Sequence, residues 1–227
     1  MSAPLTEMTP AADARGGVVV IQEAFGITDY IKGVLRDLAA AGWHAVAPHM
    51  FHRSGDPVFD YADYEKIGPV FAELTAEGIA ADVDDAFAAL AAAGFAPAQT
   101  AIIGFCMGGN VATITATRKV VGAAVSFYGG GVGTGRFGHP PLIEAAPSLK
   151  TPWLGLYGET DHSIPVEEAD QLRAAAASSG VDTELVLYPG AGHGFHCHDR
   201  KDFNADAAAD AWGRMLRWLD RHVAAPS

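Results

Sequence analysis

Apolar positions in this chain come in short runs, separated by longer stretches with helical spacing. Residues 17–22 read Gly-Val-Val-Val-Ile-Gln, a β-branched run without polar alternation that predicts a strand covered on both faces. Ile31, Val34, Leu35 and Leu38 then recur at three- and four-residue steps, which predicts a helix stopped by Gly42. Residues 44–48 predict a second strand. Residues 49–69 predict a long loop with a short helix, carrying Phe51, Phe59, Tyr61 and Tyr64. Ile79, Val83, Phe87 and Leu90 share one face of the next helix. Strand 100–105, helix 110–119 and strand 121–128 follow, then a Gly/Pro-rich excursion over 129–148. Strand 153–157, helix 166–178, strand 184–188 and a closing helix with Trp212, Met215, Leu216, Leu219 and Val223 complete the pattern.

Strands alternating with helices specify an α/β protein with an open, mostly parallel central sheet and helices on both faces. Residues 1–15, rich in Ala, Pro and Thr, read as a loose arm, and 16–225 as one domain. Ligands of such sheets bind beyond the carboxyl ends of the strands. The informative residues are therefore those that follow each strand.

Composition narrows the function. Hydrophobic residues make up 49% of the 227, enough for a sizeable core. With 27 acidic and 15 basic residues the formal charge is −12, and no basic stripe exists to displace counterions from a nucleic acid. No apolar stretch has membrane-spanning length, and no basic start precedes an apolar run. The expectation is a cytoplasmic monomer or small homo-oligomer, with neither membrane nor nucleic-acid partner. Its two cysteines, Cys106 and Cys197, are too few for a disulfide framework.

The chemistry lies after three strands. Strand 100–105 runs into Gly104-Phe105-Cys106-Met107-Gly108-Gly109, a G-x-C-x-G at a strand-to-helix turn. A nucleophile elbow needs small residues two positions either side of a strained central residue. It also sets the sulfur at a helix N-terminus, which favours thiolate. Asp161 follows strand 153–157, and His193, in Gly190-Ala191-Gly192-His193-Gly194-Phe195, follows strand 184–188. Nucleophile, acid, base is the chain order of α/β-hydrolases. The base accepts the thiol proton and the acid fixes its tautomer. Glu159 and His162 are weaker rivals for those roles. After the first strand comes Gln22-Glu23-Ala24-Phe25-Gly26. Backbone N–H groups of Ala24 and Met107 are placed to form an oxyanion hole.

These residues resemble the dienelactone hydrolase family. The likeness rests on the Gln22–Gly26 segment, the elbow around Cys106 and the His193-Gly194-Phe195 turn with Asp161 upstream, and it extends from about Val18 to Leu219. It implies an α/β-hydrolase fold that opens small lactones or esters through a cysteine acyl-enzyme, without metal or organic cofactor. It also implies that Glu23 contacts the resting Cys106 and helps to deprotonate it. The pattern's substrate-binding arginine, four residues after the histidine, is Cys197 here, with Arg200 nearby; Arg53 is the only arginine where a second would fall. Phe25, Tyr128, Phe195 and Arg200 are the candidate substrate contacts, and the N-terminal strands look shortened.

Other readings carry less. His193, His196, Cys197 and His198 are dense enough to suggest zinc, but they lack a second spaced ligand pair. Gly133-Thr134-Gly135-Arg136-Phe137-Gly138 spells G-x-G-x-x-G without the helix that a dinucleotide needs, and reads as a loop covering the site. A peroxide-sensing thiol pair, Cys106 with Cys197, is the main alternative function. A non-catalytic binding module is disfavoured by the complete set of chemical groups.

Overall fold

The computed structural model describes residues 2–225. A seven-stranded sheet has the order β1-β3-β2-β4-β5-β6-β7. In chain order the elements are β1 (Leu5–Met8), β2 (Gly17–Ile21), α1 (Asp29–Ala40), β3 (His44–Pro48), α2 (Gly68–Ala72), α3 (Ala76–Ala92) and β4 (Thr100–Phe105). Then come α4 (Met107–Arg118), β5 (Ala123–Phe127), α5 (Leu142–Ala145), β6 (Trp153–Gly158), α6 (Val166–Ala177), β7 (Thr183–Tyr188) and α7 (Ala205–His222). β2 to β7 are mutually parallel, and β1 runs antiparallel on β3.

Strand β2 explains why the core has two halves. Side chains alternate across a strand. Val18 and Val20 therefore pack with Ile31, Leu35 and Leu38 of α1 and with Met215 and Leu219 of α7. Val19 and Ile21 face the other way, onto Ile79, Val83 and Leu90 of α3, Val111 of α4 and Leu172 of α6. Every residue of β2 is buried, as the unbroken apolar run requires. Each such aliphatic side chain contributes roughly 1.5–3 kcal/mol relative to exposure.

The expected loose arm carries a strand within its described residues, 2–15. Leu5 to Met8 form β1, registered against β3 from Leu5 with Pro48 to Met8 with Ala45. The outer edge of β3 would otherwise leave a row of unpaired backbone groups. Thr6 Oγ1 lies 2.8 Å from His49 Nε2 and helps to lock the pairing. The excursion at 129–148 ends in α5, and α4 begins at Met107, three residues before the apolar pattern suggested.

Arg53 is committed to structure. Its Nη1 and Nη2 donate to the two oxygens of buried Asp82 on α3, at 2.6 and 2.8 Å. His52 Nε2 lies 3.1 Å from the same carboxylate, so the loop after β3 is riveted to α3. Arg53 is therefore no substrate contact.

Candidate active site

Cys106 caps α4 at the carboxyl end of β4, with φ 55° and ψ −114°. A positive φ is strained for any residue but glycine, and such strain persists only where the surroundings impose it. They do so here by close approach. A Cβ on Gly104 would stand 1.9 Å from the Gly108 carbonyl oxygen, and one on Gly108 would stand 2.3 Å from that of Ile21. Both glycines are thus steric requirements of the turn that lifts the sulfur out of the sheet.

The loops after β6 and β7 bring the other two groups to it. His193 Nε2 lies 3.1 Å from Cys106 Sγ, and His193 Nδ1 lies 2.7 Å from Asp161 Oδ2. The second carboxylate oxygen of Asp161 accepts from the Ser163 backbone N–H at 2.8 Å and from Ser163 Oγ at 2.7 Å. Ser163, which gave no sequence signal, thereby satisfies the half of Asp161 that His193 leaves open. Glu159 is absent from these contacts; His162 lines the pocket beside them.

The electrostatics favour an ion pair. Burial pushes the Cys106 thiol up, but the facing His193 charge and hydrogen bond outweigh it and leave the thiol below its usual range. Burial likewise pushes His193 down, but the Cys106 thiolate and the Asp161 bond carry it up to about 10. For Asp161 burial acts upward; the bonds and charge of His193, with those of Ser163, hold the carboxyl below its usual range.

A pocket of about 450 Å³ opens over the sulfur. Ala24 and Met107 both line it. Among the described residues neither of their N–H groups donates to a protein acceptor. Arg136, Arg200 and Lys201 line the same space. Arg136 comes from the 133–138 loop, so that loop borders the pocket, and its Phe137 packs edge-on against Phe71, another lining residue, with centroids 5.2 Å apart.

Several expectations change. Glu23 is fully buried, and its carboxylate bonds not to Cys106 but to Tyr61 Oη at 3.1 Å and Arg200 Nη1 at 3.3 Å. Its negative charge pushes the thiol up, against activation. Phe25, Tyr128 and Phe195 are buried behind the pocket wall, where no substrate reaches them. Phe25 packs tilted against Tyr61, with centroids 4.4 Å apart, and Tyr128 packs edge-on to the His193 ring at 5.3 Å. Of the four candidate contacts, Arg200 lines the pocket.

The side chains of the histidine-rich turn are placed apart from one another's reach and taken up by other partners. No group of three metal-ligating side chains exists among the described residues. His196 is sandwiched between aromatic rings, its Nδ1 is 2.7 Å from Tyr30 Oη, and burial pushes it down to about 4. Cys197 is completely buried, and burial first, then Glu23, push its thiol up to about 12. Such a thiol is a poor redox partner. No helix among the described residues is long and apolar enough to cross a membrane.

Comparison with known proteins gives the family and the fold. The model of the dienelactone hydrolase family matches residues 5–223. A Yersinia pestis protein, provisionally assigned as a carboxymethylenebutenolidase, is 35% identical over 208 residues, covering 90% of this chain and 78% of its own. A crystal structure from Klebsiella pneumoniae, provisionally assigned as a dienelactone hydrolase, has a TM-score of 0.83 at 30% identity and covers 97% of this chain and 100% of its own. An α/β-hydrolase from a deep-sea metagenome shares the fold, with a TM-score of 0.72 at 16% identity over 96% of this chain and 92% of its own. With an elbow, a histidine and a carboxylate converging on one pocket, and a family match spanning nearly the whole chain, this protein belongs to the dienelactone hydrolase family and is a hydrolase of the α/β-hydrolase fold.

Proposed function

We propose that the chain hydrolyses small lactones or esters, preferentially anionic ones, through a thioester on Cys106. The observation that carries this reading is the unbroken line from Asp161 through His193 to the sulfur, with contacts of 2.7 and 3.1 Å.

The thiolate attacks the substrate carbonyl, and a sulfur–carbon bond forms. The N–H groups of Ala24 and Met107 receive the developing oxyanion. As the tetrahedral centre collapses, the carbon–oxygen bond to the leaving alkoxide breaks and His193 Nε2–H protonates that oxygen. In a lactone this alcohol stays tethered to the acyl group. Neutral His193 then takes a proton from water, which adds to the thioester. Breaking the sulfur–carbon bond releases the acid and restores the ion pair. Asp161 holds the His193 ring through its Nδ1 in both charge states.

Anionic preference follows from the pocket's charge. In a chain of net charge −12, three cations line this one space beside two carboxylates, Asp161, which is committed to His193, and Asp202; neither Arg136 nor Lys201 forms an ion pair among the described residues. Unpaired guanidinium and ammonium groups attract a substrate carboxylate. Glu23 anchors Arg200 from behind and does not serve as the base.

The test is hydrolysis of a chromogenic acetate ester and of a dienelactone by wild type and Cys106→Ala, with intact-mass detection of acylated protein. Turnover by wild type alone, with one acyl group on Cys106, is expected. Equal turnover by Cys106→Ala overturns the thiol mechanism.

A further inference from the structure

The apolar surface of the pocket is made of rings. Ala24 and Met107 flank the sulfur, and the other apolar lining residues are Tyr64, Phe71 and Phe203. None of the lining residues is Leu, Ile or Val, although such residues fill both halves of the core. The rings are within reach of a ligand. Tyr64 is 62% exposed and Phe203 43%, two of the four exposed large apolar side chains among the described residues, and Phe71 is half-buried. Exposed apolar surface gathered at a pocket marks a binding surface, where the same residues scattered singly would not. Phe71 is steadied by Phe51 and Phe137, with centroids 6.2 and 5.2 Å away. The Tyr64 ring meets Phe25 at 6.2 Å and leaves most of its own surface uncovered.

Sheet order gives two of these rings a side. Cys106 follows β4; β2 and β3 lie to one side of that strand, and β5, β6 and β7 to the other. Tyr64 packs against Phe25, just beyond β2, and Phe71 against Phe51, just beyond β3. Asp161 and His193 follow β6 and β7. His193 protonates the leaving oxygen, so the leaving group extends toward its side of the sulfur. The acyl group then extends toward Tyr64 and Phe71. Aromatic side chains reward an aromatic partner, in offset or edge-on contact, beyond the area that it buries; a saturated ring gains the area alone.

We infer that Tyr64 and Phe71 form an acyl subsite for an aryl group, so that esters of arylacetic acids are preferred over their saturated counterparts. The inference rests on the hydrolase reading above and names the acyl class of that site.

The experiment compares kcat/KM for p-nitrophenyl phenylacetate and p-nitrophenyl cyclohexylacetate, which share a leaving group and differ in whether the acyl ring is aromatic. Each value is divided by the ester's own rate of alkaline hydrolysis, which removes the difference in intrinsic reactivity. Wild type is expected to favour the phenylacetyl ester about fivefold or more. Tyr64→Leu and Phe71→Leu keep apolar bulk and remove a ring; each is expected to lower the ratio, and the double variant to bring it to about one. The ratio is taken within one protein sample, so a partial loss of folded protein cancels, and Tyr64→Leu changes a side chain that is mostly exposed. Turnover of both esters by wild type without preference overturns the inference and leaves the hydrolase reading standing. So does a preference that both substitutions leave intact. Failure to turn over either ester, with Cys106 never acylated, overturns both.

Discussion

Arg200 and Glu23 meet behind the pocket, Nη1 to Oε1 at 3.3 Å, with the arginine side chain 15% exposed and the glutamate 0%. Burial raises the Glu23 pKa above its ordinary 4.5, against the lowering pull of Arg200 first and then Tyr61 and His193. Removing the guanidinium leaves a buried carboxylate uncompensated. Arg200→Met is expected to cost about 3 kcal/mol at alkaline pH. A carboxyl whose folded pKa is raised contributes stability below its unfolded pKa, and that contribution fades as pH rises through the folded value. The variant moves the folded value further up, so its deficit relative to wild type should shrink on acidification as Glu23 takes up a proton. Urea unfolding in acidic and alkaline buffer measures this. A deficit of the same size in both would show that Glu23 is not the group left exposed to the loss.

The two thiols should differ sharply in reactivity. Cys106 is half-buried at the pocket floor with its thiol held low by His193, whereas Cys197 is completely buried with its thiol pushed up to about 12. Iodoacetamide should therefore label one site in the native protein, and its rate should stay high below the usual thiol range because the thiolate persists there. His193→Ala should move the midpoint of that rate upward past the ordinary thiol value, since burial and the Glu23 charge then face only the smaller pull of Arg200. Peptide mapping of the alkylated protein decides it, and native labelling of Cys197 would contradict the burial.

The reach of the sequence has a physical limit. Strands β2 and β4 were legible because burial on both faces demands unbroken apolar runs, and Cys106 and Asp161 because each follows such a run; His193 follows the edge strand β7, half-buried and carrying Thr183 and Glu184, and was marked by the glycines around it. Strand β1 was not: Leu-Thr-Glu-Met at a sheet edge buries little, and its pairing is decided by the open side of β3, far along the chain. Phe25 and Phe195 lie beside Ala24 and near His193 in sequence, and Tyr128 directly follows β5, but side-chain direction is set by packing, and all three turn inward. Ser163 and Arg136 were missed because loop trajectories bring them to the pocket, and no local pattern records those.

Ser163 tests whether the carboxylate needs both of its partners. Its hydroxyl donates to Asp161 Oδ1 at 2.7 Å and lies 3.2 Å from His193 Nδ1. Ser163→Ala removes this bond but keeps the backbone N–H. The expected loss is about 1 kcal/mol of transition-state stabilisation, roughly fivefold in kcat/KM. Because that hydroxyl is among the groups that lower the Asp161 pKa, the acid limb of the pH–rate profile should also move to higher pH. A fall in rate at every pH with no movement of the limb would mark Ser163 as scaffold only.

Gly108 couples the fold to the chemistry. A Cβ there would lie 2.3 Å from the Ile21 carbonyl oxygen and 2.7 Å from that of Gln22, both backbone atoms that cannot rotate aside. In Gly108→Ala the start of α4 must therefore back away from β2. Met107 sits on α4 and Ala24 follows β2, so the same shift parts the two N–H groups that would hold the oxyanion. Overpacking alone is expected to cost about 3 kcal/mol, the upper part of the usual range, since no side chain can yield. In the fraction that remains folded, misplacing one donor should slow acylation by about 100-fold. Thermal unfolding reads the first effect, and the rate of acyl-enzyme formation by intact mass reads the second. A variant that melts lower but acylates at the wild-type rate would separate the two, and would move the oxyanion site away from Met107.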